Sequence, residues 1–184
     1  MIMDLVSLKC MARLLFIGDS LIEFFDWAGR FPKDIVYNLG VAGETVEGLH
    51  RRLERIFRSA AAVGTVLIMS GINNLAMDDR DFVPTYRYIV RELSGHYPSA
   101  RIFVQSLLPV LYLGIANDDI TGVNRLLKEM AAAEGAFYAD IHSLFLGESG
   151  DPAQDLLSED GVHLSDEGYR VWADEVERLI RRTT

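Results

Sequence analysis

The sequence predicts an α/β fold: a five-stranded parallel sheet of flavodoxin-like order, covered by helices on both faces. Two observations carry that prediction. Apolar runs of strand length alternate with segments of helical period, and the runs are apolar on both faces, as strands of a doubly covered parallel sheet must be. Arg13–Gly18 (RLLFIG) reads as the first strand, followed by the short apolar stretch Leu21–Trp27. Asp34–Leu39 is the second strand, after which Val46, Leu49, Leu53, Ile56 and Phe57 recur at helical spacing. Thr65–Ser70 is the third, and the next helix shows Val83, Tyr86, Val90 and Leu93 on one face, with Pro84 tolerated in its first turn. Arg101–Leu107 is the fourth strand, ended by Pro109, and Val123, Leu126, Leu127 and Met130 mark the helix that follows. Ala136–Ile141 is the fifth. Ser165 then caps a last helix with Asp166 and Glu167 in its first turn and Tyr169, Trp172, Val176 and Leu179 turned inward.

Composition agrees with one such domain. The chain has 184 residues, 49% hydrophobic and 24% charged, enough to bury a core. Eighteen basic against 27 acidic residues leave a formal charge of -9, a field that repels phosphate and so argues against nucleic acid or an anionic membrane as partner. A single cysteine, Cys10, excludes an intrachain disulfide framework and a Cys-rich zinc site. Residues 1–12 read as an N-terminal extension and 13–184 as the domain. Asp4, Lys9 and Arg13 break the pattern of a signal peptide, and no run approaches the roughly 20 apolar residues of a membrane span, so a cytoplasmic protein is expected.

In a sheet of this order functional residues belong at the carboxyl ends of the strands. Gly18-Asp19-Ser20-Leu21 follows the first strand and sets a serine at a helix start, its hydroxyl and N–H facing the same space. Asn38-Leu39-Gly40-Val41-Ala42-Gly43 follows the second, and its glycines allow the Gly43 N–H to face an anion. Ser70-Gly71-Ile72-Asn73-Asn74 follows the third, where the Asn73 amide is an uncharged donor. Asp160-Gly161-Val162-His163 precedes the last helix, and a glycine turn lets Asp160 reach one imidazole nitrogen while the other faces outward. Asp140 and His142, at the end of the fifth strand, are an alternative pair. His50 and His96 read as surface residues.

These pieces fit one reaction. A serine needs a base to take its proton, His163 is such a base, and Asp160 orients it. Ser20 N–H, Gly43 N–H and the Asn73 amide, from three successive strand ends, are the donors an oxyanion requires. The G-x-S-x-G elbow is absent, so the chemistry of α/β-hydrolases is expected on another scaffold.

From residue 13 to about 180 the chain resembles the GDSL, or SGNH, hydrolases, through Gly18-Asp19-Ser20-Leu21, the glycine block ending at Gly43, Gly71-x-Asn73 and Asp160-x-x-His163. The resemblance implies a three-layer αβα sandwich, Ser20 as nucleophile, Asp160 and His163 completing the triad, and Ser20, Gly43 and Asn73 as the oxyanion hole. Asp19 and Asn74 are expected as supporting residues; many members carry Asp at the position of Asn74. That Asn, Leu107-Leu108-Pro109 and Val123-Asn124-x-Leu126-Leu127 are similar to the branch of platelet-activating-factor acetylhydrolase catalytic subunits, which implies short acyl groups.

The expected function is therefore a serine esterase acting on small-molecule esters of short acyl groups, O-acetyl groups on a carbohydrate among them, with no metal and no cofactor. A thioesterase or lysophospholipase for longer chains is the alternative, and a non-catalytic flavodoxin-like binding module the reading from another class. Phe24, Phe25 and Trp27 are expected to cover the sheet rather than wall an acyl pocket. Leu111, Tyr112 and Leu113 are a candidate wall, and Leu144–Leu157, with Gly147, Gly150 and Pro152, a candidate lid.

Overall fold

In a computed structural model, which describes residues 11–182, five parallel strands form one sheet of order β2-β1-β3-β4-β5. They are β1 (Arg13–Gly18), β2 (Ile35–Gly40), β3 (Thr65–Met69), β4 (Arg101–Gln105) and β5 (Phe137–Ala139). Between them run α1 (Ser20–Glu23), α2 (Trp27–Arg30), α3 (Val46–Arg51), α4 (Leu53–Ser59), α5 (Ile72–Ala76), α6 (Val83–His96) and α7 (Asn117–Ala133), and α8 (Asp166–Arg182) closes the chain. The chain leaves β1 toward one edge, then reverses across β1 to β3, β4 and β5. Right-handed crossovers therefore put α1 and α2 on one face and α3, α6 and α7 on the other, giving three layers. Packing agrees with that. Phe16 of β1 stacks on Trp27 with ring centroids 4.1 Å apart, and Trp27 meets Trp172 of α8 edge-on at 5.1 Å. On the opposite face Tyr86, Ile89, Val90 and Leu93 of α6 and Ile120, Val123 and Leu127 of α7 are buried.

Leu14, Leu15, Phe16 and Ile17 of β1 and Val66, Leu67, Ile68 and Met69 of β3 have no solvent exposure. These central strands behave as the sequence predicts. The second strand does not. Most of β2 is only half-buried, because an edge strand has one neighbour and less cover. The fourth strand stops at Gln105 instead of Leu107, where the Asn124 side chain takes over from the ladder: its Oδ1 accepts from Leu107 N (2.7 Å) and its Nδ2 donates to Leu107 O (2.9 Å). The fifth is three residues long, since past Ala139 the backbone N–H of Ile141 turns to donate to Ser106 Oγ (2.9 Å).

Residues 1–10 of the expected N-terminal extension lie outside the described residues. Ala12, assigned to that extension, is joined to the sheet's edge: its N–H donates to Asp34 Oδ1 (2.9 Å) and its carbonyl accepts from Ile35 N (2.9 Å). The candidate lid, Leu144–Leu157, is anchored at both ends by buried Phe145, Leu156 and Leu157, with Ala153 N donating to Phe145 O (2.9 Å). No helix among the described residues is long and apolar enough to cross a membrane.

Candidate active site

The site begins where β1 runs out of the core. Asp19 caps α1, its Oδ1 accepting from Leu21 N (3.1 Å), so Ser20 occupies the first position of a helix whose N–H groups point away from the sheet. Ser20 Oγ lies 2.9 Å from His163 Nε2, and His163 Nδ1 lies 2.6 Å from Asp160 Oδ2. Residues 143 positions apart in sequence are thus brought into one relay. Burial would raise the carboxyl pKa of Asp160, but this is outweighed by hydrogen bonds from the His163 ring, the His163 and Val162 N–H groups and the Ser158 hydroxyl, which together hold it well below the usual carboxylate range. An ionised carboxylate only accepts, so Nδ1 carries the ring proton and Nε2 is left as acceptor for the Ser20 hydroxyl.

The Asp160–His163 turn owes its shape to Gly161, whose φ of 71° is a conformation side chains disfavour. Its carbonyl accepts from Leu111 N (2.8 Å), and Ser158 N donates to His163 O (2.8 Å), so the turn is pinned on two sides.

Gly43 sits in a loop with φ of 73°, and a Cβ there would meet nothing within 4 Å, so it is the backbone conformation and not crowding that asks for glycine. The loop is fixed by its neighbours. Val41 N donates to Gly18 O (2.9 Å), Ala42 N to Glu23 Oε2 (2.6 Å), and Glu44 is held by a two-pronged ion pair with Arg52 (2.6 Å for each contact). The Asn73 amide donates to Glu44 O (3.0 Å), which sets it against the same loop. Ser20, Gly43 and Asn73 thus follow three strands, β1, β2 and β3.

Asn74 is buried and fully bonded. Its Oδ1 accepts from Val46 N (2.9 Å) and its Nδ2 donates to Glu47 Oε2 and Asp79 Oδ2 (2.8 Å each). It ties the start of α3 to α5, and so ties the Gly43 loop to Asn73. Asp19 is fully buried, and its Oδ2 has no hydrogen-bond partner among the described residues. Burial lifts its carboxyl pKa from an ordinary 3.8 to about 7, with the Leu21 N–H and the charge of His163 pulling against that rise.

The alternative pair does not form. Asp140 accepts from Ser143 N (3.1 Å) and Ser143 Oγ (2.6 Å) instead of His142, and the buried His142 Nε2 has no partner among the described residues. Burial lowers the pKa of His142, with Asp140 opposing. His50 and His96 are exposed, as expected.

The three aromatic residues after Ser20 divide. Trp27 is wholly buried and Phe25 stacks on Tyr169 (5.0 Å), so both cover the sheet as predicted. Phe24 departs from that prediction: it is 57% exposed, with its ring centroid 5.3 Å from that of His163. Leu111, Tyr112 and Leu113 are also exposed, beside the Gly161 turn. Sequence reading also missed Glu23, Arg52 and Asn38, whose Nδ2 lies within 3.1–3.2 Å of the Ile22, Glu23 and Phe25 carbonyls. Glu23 and Asn38 meet backbone distant in sequence, and Arg52 meets both the Leu39 carbonyl and the Glu44 carboxylate, contacts that no local pattern announces.

The profile of the GDSL-like lipase/acylhydrolase family matches residues 16–171. The chain belongs to this family. It is therefore an ester-bond hydrolase by membership, and solved structures place its fold among related enzymes. A proposed platelet activating factor from Streptococcus pneumonia superposes with a TM-score of 0.82 at 22% identity, over 93% of this chain and 85% of that one. A GDSL-like lipase from Bacteroides thetaiotaomicron gives 0.78 at 18% identity, over 95% and 90%. An acetylxylan esterase from Geobacillus stearothermophilus gives 0.74 at 21% identity, over 92% and 94%. No curated protein matches the chain significantly. Among the described residues no group of three or more His, Cys, Asp or Glu is arranged to hold a metal ion.

Proposed function

We propose that this family member is a serine esterase that removes short acyl groups, acetyl above all, from a small-molecule alcohol such as a carbohydrate. The relay Ser20 Oγ–His163–Asp160 carries the reading. Ser20 Oγ attacks the ester carbonyl carbon while its proton passes to His163 Nε2. The carbonyl oxygen becomes an oxyanion, met by the Ser20 and Gly43 N–H groups and the Asn73 amide, each such donor being worth roughly 10²–10³ in rate. The bond to the leaving oxygen breaks, His163 returns the proton to that oxygen, and an acyl-Ser20 ester remains. Water then repeats the sequence, again with His163 as base, and frees the carboxylic acid. Short acyl groups follow from the branch that Asn74 and the segments after β4 resemble, and the acetylxylan esterase of similar fold points the same way.

The exposed Leu111–Leu113 segment favours a second reading, a longer acyl chain lying across it. A panel of p-nitrophenyl esters from acetate to octanoate, with acetylated sugars beside them, separates the two. The expected result is labelling of Ser20 by a fluorophosphonate and fastest turnover at acetate. Ser20→Ala should lower kcat by roughly 10⁴–10⁶ and abolish labelling. Rates that climb to octanoate would favour the longer chain, and labelling of the Ala variant would place the nucleophile elsewhere.

A further inference from the structure

Phe24 stands apart from the aromatic residues around it. Trp27, Phe16, Phe31 and Trp172 use their rings to fill the core, all with 6% exposure or less, whereas Phe24 leaves more than half of its surface in solvent. Its place is fixed all the same. Phe24 N donates to Ser20 O (3.0 Å), one turn on from the nucleophile, and the carbonyls on either side of it, Glu23 O and Phe25 O, are each held by the Asn38 amide at 3.2 Å. The ring lies 5.3 Å from the His163 ring at an interplanar angle of 36°. An apolar ring carried on a fixed backbone, exposed beside the proposed general base, is a surface open to contact.

The stereochemistry of acyl transfer says which part of a substrate reaches it. The carbonyl oxygen is claimed by donors of the Gly43 loop and Asn73. The leaving oxygen must come within hydrogen-bond reach of His163 Nε2 to be protonated. The carbon skeleton of the alcohol therefore starts beside the imidazole, where Phe24 lies.

We propose that Phe24 is the specificity-determining floor of the alcohol subsite, and that the alcohol it selects is neutral and presents a flat apolar ring face, as a pyranose does. This rests on the esterase reading above. Neutrality follows from the chain's formal charge of -9, which disfavours an anionic alcohol. A flat face follows from the ring itself, which gains most from a partner that covers it without unpaired polar groups.

The test holds the acyl group constant. Wild type, Phe24→Ala and Phe24→Tyr are assayed on ethyl acetate, benzyl acetate and an acetylated methyl pyranoside. Every substrate forms the same acetyl-Ser20, so kcat/KM reports acylation with the alcohol present, and deacylation is read separately after the alcohol has gone. In Phe24→Ala the ratio of pyranoside to ethyl acetate kcat/KM should fall roughly tenfold, the worth of half a Phe face, with deacylation at the wild-type rate. Phe24→Tyr should restore the ratio. A fall confined to benzyl acetate would replace the pyranose with an aromatic alcohol and overturn the sugar assignment. An equal fall on all three esters, or slower deacylation, would overturn the proposal, because His163 serves both half-reactions and Phe24 would then merely support its ring. Absence of fluorophosphonate labelling in the wild type would instead remove the esterase reading, and this inference with it.

Discussion

The proposed nucleophile and its proposed base are positioned by two different kinds of structure. Ser20 stands at the end of a strand whose Leu14–Ile17 are fully buried, and is itself 7% exposed. Asp160 and His163 lie on a surface turn with side chains 53% and 33% exposed. Ser20 is placed by the core: moving it means moving β1, which close packing resists. The base is placed by local hydrogen bonds. Asp160 Oδ1 alone accepts from Ser158 Oγ, Val162 N and His163 N, each at 2.9 Å. Single surface substitutions should thus disturb the base far more than the nucleophile.

The largest effect on the base without deleting a side chain is expected from Asp160→Asn. The amide can still accept from Val162 N and His163 N, so the turn keeps its shape. Toward His163 Nδ1, however, it presents an N–H, which holds the ring in the tautomer whose Nε2 cannot accept the serine proton. A loss of roughly 10⁴ in kcat with an unchanged circular dichroism spectrum is expected. A loss within tenfold would show that the turn orients His163 without its carboxylate.

How much of this was legible in the sequence follows the same division. The ends of β1 and β3 could be read because a fully apolar run there stops abruptly at Gly18-Asp19-Ser20 or Ser70-Gly71, and the His163 turn because Asp, Gly and His sit at a spacing that closes locally. The end of β4 was missed because Leu107 leaves the ladder for the Asn124 side chain, a tertiary contact no local pattern announces. The same holds for Asn74, legible as a departure from the family's usual Asp but not as a bridge between Glu47, Asp79 and Val46 N. That Ser143 takes the carboxylate of Asp140, which leaves His142 without it, is likewise a contact visible only in three dimensions.

On the core side the corresponding probe is Asp19→Asn. A buried carboxyl raised from 3.8 to about 7 is held in its neutral form longer than in the unfolded chain. The folded state then binds more protons than the unfolded one between those values, so its stability falls as pH rises from about 4 to about 7 and levels off above. The amide does not titrate. Its stability relative to wild type should therefore increase across that window, by up to roughly 4 kcal/mol for a shift of this size. Denaturant midpoints at pH 4 and pH 8 measure it, and an offset equal at both would show that Asp19 binds its proton no more tightly in the fold than in the unfolded chain.

The smallest effect is the most informative about the turn. Ser158→Ala removes one of the three donors to Asp160 Oδ1 but leaves the two backbone N–H groups in place. It also leaves the Ser158 N–H bond to His163 O, which depends on the backbone alone. Solvent screening reduces an exposed hydrogen bond to a charged group to about 1 kcal/mol, so kcat should fall no more than roughly tenfold and stability by about 1 kcal/mol or less. If the two backbone N–H groups are enough to aim Oδ2 at the ring, kcat of Ser158→Ala will stay within that tenfold of wild type. A loss approaching that of Asp160→Asn would mean the opposite: that the hydroxyl, and not the backbone, aims Oδ2 at the ring, and that one exposed side chain controls the base of an otherwise core-built site.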